Sequence, residues 1–375
     1  MDRNVFFVRM NKVKEKMAEQ GIDVCMISPS SNLFYLCGYG MKGDERLFLL
    51  VLPRDGEPFI LANLLYKEQV KSLPVNSFVY WKDGEDPFSL LKTEIQKRNI
   101  KVSKAALESQ IPLFLSLPLG EIFRDTHFVL GSSLTDPLRQ IKDQTELELI
   151  RRACRKSDRA LSAAIEKTIA GGKSSNWIVK TESDFYDALA AEFRKEGLAS
   201  FGAAVAVGPN AALPHYETGT SLIEKGKCLL VDFWGSFEGY YTDCTRTFFF
   251  GKADAEFEKI HAIVLEAQKA AEAKARPGNS FADVDFAARS VIEKHGYGEY
   301  FTHRTGHGLG IDIHEGLSVN KGVDVPLEPG MVFSIEPGIY LPGHFGVRIE
   351  NLVAVTKGEP EVFHEYPREL KVIQV

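Results

Sequence analysis

The stretch KCLLVDFWGSFEGYYTDCTRTFFFG, residues 227–251, decides the fold of the C-terminal part of the chain. Two runs rich in apolar and β-branched residues flank the turn-forming sequence GSFEG, which predicts a β-hairpin. Pairing Gly235 with Tyr240 across this turn places Asp232 directly opposite Asp243. Directly opposed side chains have Cβ atoms about 5 Å apart, where like charges destabilise a sheet. A shared proton or a divalent cation between the carboxylates would relieve the repulsion.

A second interpretation of the hairpin needs no cation. If the strands pair in another register, Asp243 is free to form an ion pair with Arg246, which lies three residues further along the same run. The hairpin alone leaves both interpretations open.

Composition limits the classes of function. A length of 375 residues predicts two or three domains, and the net charge of −6 gives no footprint for nucleic acid or an anionic membrane. The five cysteines form no CxxC pair and their number is odd, which is typical of reduced thiols in a cytoplasm. No signal-peptide core opens the sequence and no apolar run approaches the roughly 20 residues of a membrane helix. We therefore expect a soluble cytoplasmic protein.

Two domains are predicted from the order of the elements. Residues 1–133 alternate between helical and strand patterns, which indicates an α/β domain. Turn-forming residues gather at 131–137, and we place the boundary between residues 133 and 134. The second domain, residues 134–375, is expected to be α+β.

The second domain shows the same order of elements twice. Each half contains two helical patterns followed by strand-rich sequence, which indicates an internal duplication. The predicted helices cover residues 143–168, ending at Gly171 and Gly172, then 182–195, 255–275 and 282–294, and the predicted strands outside the hairpin cover 203–207, 331–335 and 346–355. If the duplication holds, Glu336 and Glu350 are the counterparts of Asp232 and Asp243.

Glu336 and Glu350 interrupt strand-like apolar sequence, where charged residues are rarely buried without partners. Each could also be an edge-strand charge, and Arg348, two residues before Glu350, offers an ion pair without any metal. His307 lies among glycines in TGHGLG and carries the imidazole that transition metals commonly bind. Four carboxylates balance two divalent ions, so the set predicts a two-metal site that holds an attacking water and polarises a carbonyl.

Three further histidines are candidates for contact with a substrate. His215 lies in the loop-like sequence GPNAALPHY, and His314 lies in IDIHE. Beside a metal centre, both could donate hydrogen bonds to a scissile carbonyl or its tetrahedral oxyanion. His303, four residues before His307, is the weakest of the three. Cys244 is predicted to point away from the site, because adjacent side chains of a strand face opposite sides.

At this point the sequence from about Asp136 to its end resembles the pita-bread metallopeptidases, which include methionine aminopeptidase, prolidase, aminopeptidase P and the non-metal hydrolase creatinase. The resemblance rests on six motifs in order: LRQIKDQTELELIRRA, GPNAALPHYETG, VDFWGSFEGYYTDCTRTF, GHGLGIDIHEG, EPGMVFSIEPGIY and GVRIEN. The first 130 residues fit the extra N-terminal domain of the prolidase, aminopeptidase P and creatinase branch. The resemblance therefore implies the creatinase/aminopeptidase fold with pseudo-twofold symmetry.

The resemblance also implies roles for individual residues. Five residues would be the ligands of a dinuclear centre: Asp232, Asp243, His307, Glu336 and Glu350. It implies bridging positions for Asp243 and Glu350, and Glu336 as the general base. His215 and His314 would contact the substrate carbonyl and the intermediate, Thr245 would support the ligands, and His303 and Arg348 would lie around the substrate.

The function implied is a cytoplasmic, homodimeric Xaa-Pro dipeptidase that uses two divalent ions, Mn²⁺ or Co²⁺ before Zn²⁺ or Fe²⁺. Aminopeptidase P activity on longer proline-containing peptides is the nearest alternative. A creatinase-type hydrolase or a peptide-binding module without turnover is the alternative from another class, although no ligand position is missing here.

Overall fold

The computed structural model describes residues 3–169 and 179–374. The chain divides into two compact units, with the division between Arg139 and Gln140. Residues 132–140, where turn-forming residues gather, are helical. The domain boundary between residues 133 and 134 stays a prediction, and the helix end expected at Gly171 and Gly172 lies outside the described residues.

The first unit is built on a mixed six-stranded sheet, as the alternating pattern predicts. Its strands are β1 (Val24–Ile27), β2 (Leu49–Pro53), β3 (Phe59–Asn63), β4 (Phe78–Trp81), β5 (Lys104–Leu107) and β6 (His127–Leu130). They lie in the order β4-β3-β2-β1-β5-β6. β2 and β3 form an antiparallel hairpin, whereas β5 pairs in parallel with β1 and β6.

Six helices accompany this sheet. They are α1 (Arg3–Gln20), α2 (Ser31–Cys37), α3 (Lys67–Val70), α4 (Pro87–Lys97), α5 (Leu113–Ile122) and α6 (Ser132–Gln140). α5 was not predicted, because its sequence LFLSLPLGEI lacks a helical spacing of apolar residues and contains Pro118.

Among its described residues, the second unit contains four long helices, all at predicted places: α7 (Gln144–Ile169), α8 (Glu182–Lys195), α9 (Ala255–Glu272) and α10 (Phe281–Lys294). α8 and α10 begin in the same way, because Thr181 with Asp184 and Ser280 with Asp283 each form a capping box. A capping box satisfies orphan N–H groups at a helix start. The repeated start agrees with the duplication predicted from the order of elements.

The strands of the second unit are β7 (Ala199–Val207), β8 (Cys228–Phe237), β9 (Tyr240–Phe250), β10 (Gly306–His307), β11 (Ser318–Val319), β12 (Val332–Ile335), β13 (Gly338–Leu341), β14 (Phe345–Arg348), β15 (Asn351–Ala354), β16 (Glu361–Val362) and β17 (Val372–Ile373). The largest sheet has the order β17-β9-β8-β7, and β12-β15-β16, β13-β14 and β10-β11 form smaller sheets. The single strand predicted over residues 346–355 is divided into β14 and β15.

The predicted register of the β8–β9 hairpin is wrong by two residues. Phe237 pairs with Tyr240, so the loop is the two-residue turn Glu238-Gly239 rather than the four residues 236–239. Both turn residues have positive φ, 49° and 88°, as a type I′ turn requires. Asp232 consequently pairs with Thr245 rather than with Asp243.

A shift of two residues leaves side chains on the same face of a sheet, because the side-chain period of a strand is two. Asp243 pairs with Trp234, two residues after Asp232, so the two aspartates are diagonal neighbours on one face. The opposite face packs against α7 and α8, with Phe233 and Cys244 in its core. Cys244 therefore points away from the acids, as predicted.

None of the described helices combines the length and the apolar character needed to cross a membrane. All five cysteines are buried free thiols.

Candidate metal centre

The second unit encloses a cavity of about 710 Å³ in which the predicted site residues converge. All five predicted metal ligands line it, together with the four residues predicted to contact substrate: Asp232, Asp243, His307, Glu336, Glu350, His215, His303, His314 and Arg348. The ligands come from β8, β9, β10 and the ends of β12 and β15. Residues more than a hundred positions apart thus meet in one place.

Three of the ligands lie especially close together. Asp243, His307 and Glu350 each offer one atom that could bind a metal, and these three atoms lie within 4.8 Å of one another. All three residues are buried. His307 Nε2 lies 3.5 Å from Asp243 Oδ2 and 3.4 Å from Glu336 Oε1. The group is compact enough to hold an ion.

The β12–β15 pair brings the two glutamates together. Ile335 pairs with Asn351, so the next position in the same register sets Glu336 opposite Glu350. The second half of the unit therefore has the face-to-face acids that were predicted for the first half, where they are diagonal.

Glycines around His307 allow the backbone to pass very close to its neighbours. A Cβ built on Gly306 would lie 1.9 Å from the carbonyl oxygen of Ser334, so only glycine fits there. The His307 N–H donates to Ser334 Oγ at 3.0 Å. The close approach fixes the imidazole relative to β12.

Arg348 pairs with a different acid from the one expected. Its Nη2 donates to Asp232 Oδ2 at 2.7 Å, whereas the ion pair considered from sequence was with Glu350. Arg348 Nε also donates to Thr245 Oγ1 at 3.2 Å. The Thr245 hydroxyl in turn donates to Glu350 Oε2 at 2.7 Å. Thr245 thus links the Arg348 guanidinium to Glu350, one of the predicted ligands.

The alternative in which Arg246 neutralises Asp243 is wrong. The Arg246 guanidinium donates to the carbonyl oxygens of Thr245, Tyr366 and Pro367 and to Asn351 Oδ1. It fastens the end of the chain to β9 and leaves the carboxylate of Asp243 to other partners.

The acids strongly perturb one another's pKa values. Burial, followed by the charge of Asp232, raises the pKa of Glu350 to about 7. Burial, followed by the charge of Glu350, also raises the pKa values of Asp243 and Glu336 well above their usual range. Without cations, Asp243, Glu336 and Glu350 therefore hold their protons to higher pH than ordinary carboxylates do.

The imidazole of His307 behaves in the opposite way. Burial, and then the neighbouring His314, lowers its pKa to about 3. The neutral ring keeps a nitrogen lone pair available, which is the form that binds a metal.

The three remaining histidines differ in how firmly they are held. The His314 ring lies perpendicular to His307, with centroids 4.1 Å apart. His303 has both ring nitrogens occupied, by Arg304 O and Tyr340 OH, each at 2.7 Å. His215 is exposed on the cavity wall and makes no hydrogen bond to the described residues.

Sequence reasoning missed several residues that hold the site. The Tyr340 hydroxyl receives a hydrogen bond from Arg348 Nη1 at 2.8 Å and joins Arg348 to His303. A buried ion pair of 2.9 Å between Lys142 and Glu315 anchors the loop beside His314. Tyr340 and Glu315 lie within quoted motifs, but nothing in their local pattern indicates these partners.

Another polar cluster lies behind β9, on the face opposite the cavity. His364 has Nδ1 2.8 Å from Asp158 Oδ1 and Nε2 2.9 Å from the carbonyl oxygen of Asp243. Asp158, Cys244 and His364 are close enough to hold an ion. Both ring nitrogens, however, already face acceptors within the protein. The imidazole of this cluster is therefore engaged in hydrogen bonds within the protein, and it supports the backbone of Asp243.

The donor set in the cavity fits divalent metal ions. Asp243 Oδ1 and Glu350 Oε1 are buried and have no hydrogen-bond partner among the described residues. A buried carboxylate oxygen without a partner is costly, and carboxylates with one imidazole suit Mn²⁺, Co²⁺, Zn²⁺ and Fe²⁺. The two orphan oxygens lie where cations would satisfy them.

Fold and site define a metallopeptidase, and comparison with known families agrees. Residues 148–357 match metallopeptidase family M24, and residues 9–141 match the creatinase/prolidase N-terminal domain. The chain belongs to metallopeptidase family M24 and has the pita-bread fold of its creatinase and prolidase branch. The family resemblance drawn from the six motifs is confirmed.

Several proteins similar to this chain are named dipeptidases or prolidases. The chain is 34% identical over 375 residues to the Xaa-Pro dipeptidase of Lactobacillus delbrueckii subsp. lactis, covering 98% of this chain and 100% of that one. The crystal structure of dipeptidase PepE from Mycobacterium ulcerans has a TM-score of 0.91 at 32% identity, covering 100% of both chains. A recombinant prolidase from Thermococcus sibiricus has a TM-score of 0.90 at 35% identity, again covering 100% of both chains.

Proposed function

We propose that the protein is a metal-dependent Xaa-Pro dipeptidase, which hydrolyses the peptide bond before proline. The observation that carries the proposal is the convergence of four carboxylates and one imidazole on one cavity, with two buried oxygens that lack partners. The dipeptidase and prolidase relatives support the choice of substrate.

The metal centre consists of two divalent ions held by Asp232, Asp243, His307, Glu336 and Glu350. Mn²⁺ or Co²⁺ is the working ion, and the oxygen-rich ligand set also accepts Zn²⁺ or Fe²⁺. When bound, the ions lower the pKa of water and stabilise negative charge on a carbonyl oxygen.

The protein's own groups place the reactants. Glu336 is the general base, since its carboxylate lies in the cavity beside His307 and its environment favours proton uptake. His314 has its pKa lowered by burial and then by Arg304, so it is neutral at pH 7 and donates one N–H to the substrate. His215 on the wall donates to the scissile carbonyl or its oxyanion.

Two further residues complete the substrate side of the cavity. His303 and Arg348 both hydrogen-bond to the Tyr340 hydroxyl, which makes one rigid wall of three side chains. We assign this wall to the binding of the proline-containing substrate.

Release of proline from peptides tests the proposal. Apo-protein is loaded separately with Mn²⁺, Co²⁺, Zn²⁺ and Fe²⁺ and then given Xaa-Pro and Xaa-Pro-Xaa peptides of matched sequence. We expect metal-dependent hydrolysis of the dipeptides. Preferential cleavage of the longer peptides would instead identify an aminopeptidase P, and a protein that binds no metal and cleaves neither would fit the creatinase-type hydrolase or binding module.

Asp243→Asn tests the ligand assignment. The substitution keeps the shape of the side chain but removes the charge that a cation needs, so bound metal and activity should fall together by at least about tenfold. Asp324→Asn, at an exposed position of the same unit, is the control and should keep both. A fully active, metal-loaded Asp243→Asn protein would contradict the assignment.

Location and assembly belong to the same proposal. Five buried free thiols are consistent with the reducing cytoplasm. We propose a homodimer from the family resemblance, and sedimentation equilibrium of the whole chain decides between one copy and two.

A further inference from the structure

Glu182 is a buried carboxylate outside the metal centre. It is the first residue of α8, and its side chain is 0% exposed. No lysine or arginine of the described residues forms an ion pair with it. The start of a helix favours negative charge, but a fully buried carboxylate also needs direct hydrogen-bond donors.

The donors to Glu182 all come from one segment, residues 207–221. Oε1 accepts from Val207 N at 2.7 Å and from Asn210 Nδ2 at 2.8 Å. Oε2 accepts from Tyr216 OH at 2.9 Å and from Ser221 N at 3.2 Å. The four donors lie at both ends and in the interior of the segment. This single carboxylate therefore holds the whole segment by hydrogen bonds.

Close packing shows that the segment is built on this contact. A Cβ added to Gly219 would lie 2.6 Å from Tyr216 OH and 3.1 Å from Glu182 Oε2. Any larger residue at position 219 would therefore have to displace the Tyr216 hydroxyl from its place beside the carboxylate.

His215 is the neighbour of Tyr216 and lines the catalytic cavity. Its side chain is exposed and makes no hydrogen bond to the described residues, so its position depends on the backbone that carries it. That backbone is held one residue away, through the Tyr216 hydroxyl on Glu182.

We infer that Glu182 is a positioning residue for His215: it fixes residues 207–221 so that the imidazole meets the substrate carbonyl. The inference rests on the proposed function, in which His215 contacts that carbonyl. Misplacement of a reacting group by about 1 Å costs on the order of 100-fold in rate, so a buried residue that touches no substrate can control turnover.

Glu182→Gln perturbs this arrangement at nearly constant volume. One carboxylate oxygen becomes an NH₂ group, and on either side it then faces a backbone N–H, of Val207 or of Ser221. Two donors cannot bond to each other, so one end of the segment is released. Tyr216→Phe is a gentler second variant, because it removes one hydroxyl and leaves the helix and its cap intact.

A double-mutant cycle with His215→Ala separates positioning from general damage. We expect Glu182→Gln and Tyr216→Phe each to lower kcat for an Xaa-Pro dipeptide by about 10-fold or more, with little change in KM or metal content. In the His215→Ala background, each should cost less than about twofold. An equal loss in both backgrounds, or no loss in the native background, would overturn the inference.

Hydrogen–deuterium exchange gives a readout that does not depend on catalysis. Both variants should exchange faster over residues 207–221 and keep the native pattern in α9 and α10. Glu256→Gln, which removes an exposed carboxylate from the first turn of α9, should change neither exchange nor kinetics. If the native protein cleaves no peptide with any metal, the proposed function fails, and unchanged exchange over residues 207–221 would then defeat the role of Glu182 separately.

Discussion

Replacing Glu350 with Gln should stabilise the metal-free protein at about pH 8 and have little effect at about pH 5. The carboxyl is 1% exposed, and one of its oxygens has no partner among the described residues. Burial, and then Asp232, raises its pKa from 4.5 to about 7. The folded protein holds this proton more tightly than the unfolded chain does. The raised pKa therefore adds to the free energy of unfolding below about pH 4.5, and this contribution is lost as the pH rises to about 7.

The magnitude follows from the size of the shift. Each pKa unit corresponds to about 1.4 kcal/mol, so ionising Glu350 in the folded state costs on the order of 3 kcal/mol. Gln has no proton to lose and escapes this cost. The four histidines with lowered pKa values, His261, His303, His307 and His314, change stability in the opposite direction as the pH rises. These histidines are present in both proteins, so their contributions cancel when the free energies of unfolding of native and variant protein are subtracted.

Urea unfolding in the presence of a chelator measures this difference. The free energies of unfolding of native and Glu350→Gln protein are compared at about pH 5, 6, 7 and 8, where the gap should widen in favour of the variant. Saturating Mn²⁺ should reverse the order, because the native protein gains a bound ion that the variant holds poorly. Parallel stability profiles without metal would refute the assignment of an uncompensated buried charge to Glu350.

Three other substitutions test the surroundings of the site. Thr245→Val removes the hydroxyl that donates to Glu350, so metal affinity should fall about 10- to 100-fold in a chelator competition assay, and unchanged affinity would show that the hydroxyl is idle. Gly306→Ala forces a Cβ against the carbonyl of Ser334 and should cost about 1–3 kcal/mol, seen as a lower melting temperature with reduced metal content. His364→Ala leaves a buried carboxylate behind β9 without its partner and should cost about 3–5 kcal/mol in urea unfolding, whereas a loss below about 1 kcal/mol would contradict this pairing.

The convergence of the predicted metal ligands could be expected from the sequence, because each of these residues lies in a local pattern that limits where its side chain points. Asp232 and Asp243 share a face in any register that differs by two residues, so the wrong turn left the conclusion intact. The two-residue turn was not predicted because Glu238 adopts a positive φ, and glutamate is not a residue type that favours this conformation.

The residues that support the site could not be predicted from the sequence, for a different reason. Glu182 bonds to groups up to 39 positions away, and His364 meets Asp158 across 206 positions. Such contacts arise only when helices and strands pack, and neither residue stands in a pattern that distinguishes it from a solvated charge. The start of α8 at Glu182, in contrast, is a local feature and was predicted.

Charge is the quantity that connects the fold to the proposed chemistry. Four of the carboxylates that line the cavity belong to the predicted ligands, and Arg348 forms a hydrogen bond to one of these four, Asp232. The oxygens left without partners belong to Asp243 and Glu350, on the side where His307 presents a neutral ring. The missing positive charge is therefore localised between these three residues rather than spread over the cavity. A site that only bound peptide would have no reason to concentrate unpaired carboxylates there, since each raises the others' pKa and weakens the fold.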